Sequence, residues 1–180
     1  LKSKDSGHPQ RQVHLMTADG QSAGFTGSEC IDWAGHKTAE NISVAGNMLA
    51  GERVLEDMLS CYLDTKSVPF AERLLLAMEA GEAAGGDKRG RQSASLTIHR
   101  GEAFPWLDLR CDDDAEPLIE IRRLLDVAGE RYIHFTEMMG SSANFSGHAD
   151  RSRIEALIKA GEEAREAENK PSASRQFERP

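Results

Sequence analysis

The chain has 180 residues, a net charge of −8 and 39% hydrophobic residues. At roughly 150 residues per domain this is one domain with a small appendage, long enough to bury a core without a disulfide or metal staple. The acidic balance argues against nucleic acid and against a membrane surface as partners, and no apolar run approaches the length of a membrane span. Cys30, Cys61 and Cys111 are odd in number and widely spaced, which fits reduced thiols and a cytoplasmic location. No signal-peptide pattern opens the chain, so the triplets Asn41-Ile42-Ser43 and Asn144-Phe145-Ser146 read as chance matches to a glycosylation signal. The first residue is Leu1 rather than Met, as expected of a fragment or a processed chain.

Residues 1–10 are polar and read as an incoming loop. Residues 11–17 alternate, with Val13 and Leu15 on one face and Gln12, His14 and Met16 on the other, the pattern of a strand. Ala18-Asp19-Gly20 reverses the chain, because Asp-Gly tolerates the positive φ of a tight turn, and residues 21–26 return as a second strand. Residues 27–41 read as irregular, and residues 42–45 as a short strand. Val54, Leu55, Met58, Leu59 and Tyr62 recur at helical spacing. Pro69 suits the first turn of a second helix, whose stripe runs through Phe70, Leu74, Met78 and Gly81, broadened by Leu75 and Leu76.

After a loop at residues 85–91 come two strands, residues 92–100 and 106–111, the latter with Leu107, Leu109 and Cys111 opposite Trp106, Asp108 and Arg110. Asp112-Asp113-Asp114 places carboxylates where a helix dipole favours them, ahead of a helix whose stripe is Leu118, Ile121, Leu124, Leu125 and Ala128. That pattern continues weakly to Met139. A last helix over residues 151–167 carries Ile154, Leu157, Ile158 and Gly161 inward. The domain is expected to end near residue 140, with residues 141–168 a linker and helix and residues 169–180 a mobile tail. Strands in meanders and helices in blocks indicate an α+β fold.

The sharpest local feature is Gly85-Gly86-Asp87-Lys88-Arg89-Gly90-Arg91. Three glycines let backbone N–H groups point into one concavity, and three cations add charge, an arrangement that holds a carboxylate or phosphate. The alternative is a glycine helix cap followed by solvated cations. Cys30, Asp32 and His36 put a thiol, a carboxylate and an imidazole in one segment, but without the paired spacing of a metal site, so no metal or cofactor is expected. The alternative there is a folded loop with Trp33 as its plug. His14 and His99 read as sheet residues, His134 as a cation near a helix end, and Met138-Met139 as packing.

Four ordered blocks carry a family resemblance. They are Thr26-Gly27 through Cys30-Ile31-Asp32-Trp33-Ala34-Gly35-His36; Gly46-Asn47-Met48-Leu49-Ala50-Gly51; residues 75–81 with residues 84–94; and Asp108-Leu109-Arg110 with Pro117-Leu118 and Leu124-Leu125. Over residues 11–128 the chain resembles the bacterial and archaeal family of domain of unknown function 1028. The resemblance implies a fold similar to the N-terminal-nucleophile (Ntn) hydrolases: a sandwich of two largely antiparallel sheets between helix layers. The family pattern also carries a segment before Arg11 that is expected to be missing here. An Ntn hydrolase attacks with an N-terminal Ser, Thr or Cys whose own α-amino group is the base, and Leu1 carries no such atom. The catalytic residue is therefore expected upstream.

The matched loop supplies the substrate-binding expectation: Asp87 and Arg89, with Gln92 and Ser93 at the strand start and Asn47 as a polar partner. Arg89 clamps a carboxylate, Asp87 holds an amine or orients Arg89, and Asp32, Trp33 and His36 form a second wall. The alternative is that these blocks hold the fold together, with Asp87 and Arg89 as an internal ion pair. Three functional readings are open. One is an Ntn-type hydrolase of an amide bond in a small amino-acid-like or cyclic amide. The second is a non-catalytic protein that binds a small anionic ligand on the same fold. The third is a module that forms a homodimer through its helix layers.

Overall fold

The alternation at residues 11–17 and its Asp-Gly reversal produce an antiparallel hairpin, β1 (Gln12–Met16) and β2 (Ser22–Thr26), in the register Gln12↔Thr26 to Met16↔Ser22. The structure is a computed structural model and describes residues 3–101, 103–129 and 151–168. The face of β1 that meets the rest of the fold is the polar one. Gln12 Nε2 donates to the carbonyls of Gly35 and Gly46 at 2.8 and 2.9 Å, and His14 Nδ1 shares a 2.8 Å hydrogen bond with Ser43 Oγ. Leu15, on the other face, is 65% exposed.

The partner of that polar face is a second hairpin, β3 (Gly35–Ala39) and β4 (Ile42–Gly46), paired from Gly35↔Gly46 to Ala39↔Ile42. The sequence Gly-His-Lys-Thr-Ala has no apolar alternation, so β3 corrects the expectation that residues 27–41 are irregular throughout. Its stability comes from its neighbours. The chain reverses at Glu40-Asn41, with Asn41 in the left-handed region at φ 62, and β4 buries Ile42 and Val44.

Helix α1 (Arg53–Asp64) packs on this hairpin. Leu55 and Tyr62 join Ile42, Val44 and Ala77 in one buried cluster, with Trp33, Leu49, Met58 and Leu59 around it. Helix α2 (Phe70–Ala83) runs against α1. Its deepest position is Leu75, at 0% exposure, while Phe70, expected in the stripe, is half exposed because it sits in the first turn. A third hairpin, β5 (Ala94–Ile98) and β6 (Leu107–Cys111), buries Leu96, Ile98, Leu107, Leu109 and Cys111 on one face, as their alternation requires. Helix α3 (Pro117–Val127) comes next, with Ile121 fully buried. Asp114 Oδ1 accepts from the Glu116 N–H at 2.7 Å in the turn just ahead of it. Arg122 ties α3 to α2 by donating to Glu72 at 2.7 Å and to both oxygens of Glu79 at 2.7 and 2.8 Å.

The architecture is thus mixed α+β, and among the described residues the strands form three two-stranded antiparallel sheets. The chain divides into two compact units. The first, Leu1–Ile98 with Leu107–Asp126, contains everything above except Val127, the last residue of α3. The second comprises His99–Trp106 and Val127–Pro180. In it the Arg100 guanidinium lies 3.5 Å over the Trp106 ring, and helix α4 (Arg151–Glu168) leaves Ile158 55% exposed and Gly161 with open space around it. This corrects the expectation that both face inward. The described side chains of α4 are largely charged, with mutually compensating pairs such as Lys159–Glu163. His134, Met138, Met139, the linker at residues 141–150 and the tail at residues 169–180 lie outside the described residues. No described helix is long and apolar enough to cross a membrane.

The closest approach of α1 to α2 depends on Gly81. A Cβ there would stand 2.6 Å from Met58 Cγ and 2.8 Å from its sulfur. Gly81→Leu is therefore expected to cost about 1–3 kcal/mol by overpacking. Thermal denaturation of the double variant Gly81→Leu/Met58→Ala should recover part of that loss, since the two sites are in contact and not additive.

Candidate functional site

Three separated segments meet beside the first turn of α1. Leu49 exchanges backbone hydrogen bonds with Trp33, its N–H reaching the Trp33 carbonyl at 3.0 Å and its carbonyl accepting at 3.4 Å. Met48 N–H donates to Ile31 at 3.1 Å. On the opposite side Ala50 N–H donates to Gly86 and Lys88 N–H to Met48, both at 2.9 Å, which forms a bridge between Leu49 and Asp87. The blocks around residues 31–33, 46–51 and 85–88 are therefore zipped into one irregular strip.

The zipping decides what the glycine-rich loop does with its donors. The N–H groups of Gly85 and Gly86 turn back to Glu82 and Gly81 at the end of α2, both at 3.0 Å. Lys88 N–H goes to Met48, Arg89 N–H to Asp87 Oδ1 at 2.8 Å, and Gly90 N–H to the Asp87 carbonyl at 2.9 Å. These five amides are spent inside the chain, so the expected anion-binding concavity is replaced by a helix cap and a turn. The cations are also engaged. Lys88 Nζ donates to the Asp32 carbonyl. Arg91 bridges Glu82 at 3.3 Å and Glu116 at 2.6 Å.

Asp87 and Arg89 form a two-pronged ion pair, with Nε to Oδ1 at 2.9 Å and Nη2 to Oδ2 at 2.6 Å. The Arg89 side-chain and backbone donors hold the Asp87 carboxyl at about 2, below its ordinary value, against a smaller opposing effect of burial. Asp87 raises the Arg89 pKa in return. Arg89 remains 63% exposed and Asp87 29%. A pair this open contributes little to stability, so its main effect is to fix the direction of both side chains.

That direction is toward a cavity of about 520 Å³. Its floor is apolar, made by Val54 and Met58 of α1, Met78 of α2 and Leu118 of α3. Glu82, Asp87, Arg89, Arg91, Gln92 and Ser93 supply the polar lining. Gln92 also ties the strand start to the acidic triplet, accepting from Asp114 N–H at 2.9 Å and donating to Asp113 at 3.4 Å.

The structure brings together Asp87, Arg89, Gln92 and Ser93 of the predicted set, and the other four residues do not line the cavity. Asn47 donates to Gln12 at 3.4 Å. His36 lies between the two N-terminal hairpins, its Nδ1 2.8 Å from Thr26 Oγ1 and its ring against Gly24. Trp33 packs on the core cluster as a plug, its ring over Gly35. Asp32 contributes its carbonyl to Lys88. The expected second wall is thus part of the scaffold. Cys30, whose thiol donates to the Arg11 carbonyl at 3.5 Å, does not converge with Asp32 and His36, and among the described residues no group of three His, Cys, Asp or Glu side chains is placed to hold a metal. Burial pushes the Cys111 thiol up, aided by Asp114 and Glu120, which keeps it protonated at neutral pH. Glu82 and the apolar floor were not foreseen. For Glu82 the signal was its place four residues before Gly86, which leaves room for its carboxylate.

Comparison with known proteins matches residues 1–121 to a family of unknown function, DUF1028. A crystal structure of a protein from Silicibacter pomeroyi, described with the same family, is similar, with 32% identity and a TM-score of 0.64. The match covers 73% of this chain and 58% of that one, so the chain spans little more than half the length of its solved relative. The comparison with curated proteins finds no match.

The depressed Asp87 pKa sets a pH dependence. A carboxylate whose pKa is lowered by folding adds stability that is present above its unfolded value of roughly 3.9 and is lost as pH falls through the folded value. The thermal midpoint of the wild type should exceed that of Asp87→Asn at pH 5, and the difference should vanish as pH falls from about 4 through about 2.

Proposed function

The chain belongs to the DUF1028 family, and on that premise we propose that its cavity holds the substrate of an Ntn-type hydrolase, a small amino-acid-like or cyclic amide. The observation that carries the proposal is the charge balance of the lining. Two carboxylates, Glu82 and Asp87, stand against two guanidinium groups, Arg89 and Arg91, around an apolar floor. A neutral rim with both signs suits a small polar or zwitterionic molecule with an apolar side chain. It suits a multiply charged anion poorly, since every loop cation already has a partner and five of the loop amides are occupied.

The fold lends support at the coarse level. Antiparallel hairpins flanked by helices are compatible with the sheets and helix layers of an Ntn sandwich. On this reading the chain supplies the substrate cavity. The nucleophile belongs to a different kind of group, an N-terminal Ser, Thr or Cys with its own amine as base. Function resides in sites and not in folds, so the test is chemical.

A panel of small amides is incubated with the protein and followed by NMR for product and by thermal shift for binding. Hydrolysis of one amide supports the proposal. Saturable stabilisation by RT ln(1 + [L]/Kd) without product supports instead a non-catalytic binding protein. Arg89→Ala removes a fixed donor and leaves Asp87 without its partner, so it is expected to raise the KM or Kd of the responding amide about tenfold or more, the scale of one charge-assisted hydrogen bond. An unchanged value removes this loop from the site.

A further inference from the structure

Of the two carboxylates in the cavity, only Glu82 has an oxygen that accepts no hydrogen bond from the described protein. Both oxygens of Asp87 are taken by Arg89. Glu82 is held differently. Its Oε1 accepts from Arg91 Nη1 at 3.3 Å, and its Oε2 has no protein partner among the described residues. That second oxygen lies over Gly86, where a Cβ would stand 3.3 Å from Glu82 Cδ and closer still to Oε2. Gly86 has φ +52, so a side chain there is disfavoured on both counts and the space over the glycine is kept for the carboxylate. Arg91 is in turn anchored by Glu116 at 2.6 Å, so the chain Glu116–Arg91–Glu82 leaves Oε2 as an acceptor-only oxygen without a protein partner on a residue that lines the cavity.

We propose that Glu82 Oε2 is the receptor for a ligand ammonium group, so that the cavity selects amides bearing a free α-amine over N-acylated or cyclic ones. This rests on the reading of the cavity as a substrate site and narrows its substrate class. Arg89 lines the same cavity, and its N–H groups not paired with Asp87 are the complementary donors for a carboxylate, while Val54, Met58, Met78 and Leu118 take an aliphatic side chain. A short peptide with both termini free presents all three features in one molecule.

The probes are glycyl-L-leucine and N-acetylglycyl-L-leucine, titrated by calorimetry into the full chain and into Glu82→Gln. Glutamine keeps the shape of the side chain and an oxygen for Arg91, and removes the charge. The wild type should bind the free dipeptide at least about tenfold more tightly than the acetylated one, the scale of one charge-assisted hydrogen bond. In Glu82→Gln that ratio should fall to near one, chiefly through loss of affinity for the free dipeptide. Glu82→Ala must give the same collapse of the ratio and serves where the glutamine variant does not fold. In the wild type the preference should also fade as pH rises through the dipeptide amine pKa, roughly 7.7–8.0. Equal binding of the two dipeptides by the wild type, or a ratio that survives in a folded variant, overturns the role of Glu82 while leaving the cavity as a site. Binding of neither dipeptide overturns the cavity reading, and the role of Glu82 with it.

Discussion

Leu49 commits both of its backbone groups to Trp33, and its two neighbours reach across to Gly86 and Lys88. This short strip is the constraint on which the rest of the first unit depends. It joins the end of β4 to the loop after α2, across more than thirty residues of sequence. Backbone polar groups removed from water must be paired, and here no regular sheet supplies the partners. The strip does, and so fixes where α1 starts, where α2 ends and which way Asp87 points. The cavity is a consequence: α1 and α2 close on each other at Gly81, and the space left beside the strip is what the polar lining surrounds.

The charges obey the same logic of local pairing. Lys88, Arg89 and Arg91 look like an anion trap when read as a row of cations, and the acidic chain would make such a trap conspicuous. Each has a partner within the chain, and together these partners turn a cationic loop into a neutral rim. Exposed pairs of this kind contribute little stability. What they do is hold long side chains in one direction, so that the few unused atoms, such as Glu82 Oε2, have defined positions.

Much of the fold is legible in the sequence because it obeys periodicity. The Asp-Gly hairpin, the stripes of α1 and α3, and the alternation of β5 and β6 all keep a period of two or of 3.6, and α1, α3 and the third hairpin bury residues where that period puts them. β3 is not legible, because a strand that packs polar side chains against another hairpin has no apolar alternation to show. The loop at residues 85–91 stands out in the sequence, and its side chains do line the cavity. Where its amides go is hidden, because the destination of a backbone N–H depends on residues 46–51, which sequence spacing cannot bring near. For the same reason His36, Trp33, Asp32 and Asn47 look like a site: they stand close to the strip in sequence, while the side chains of His36, Trp33 and Asn47 serve the hairpins and the core and Asp32 gives only its backbone carbonyl.

The Gln12 amide reaches the carbonyls of Gly35 and Gly46, the pair at the open end of the second hairpin, and so acts as a rung that belongs to neither sheet. Shifting β1 by a single residue would put Val13 in its place. An isopropyl group has no hydrogen to give, and two carbonyls would lose their donor at about 1–3 kcal/mol each where water is excluded. A glutamine on a strand thus works as a key cut for one alignment, telling two hairpins how to stack where greasy contacts alone would have let them slide.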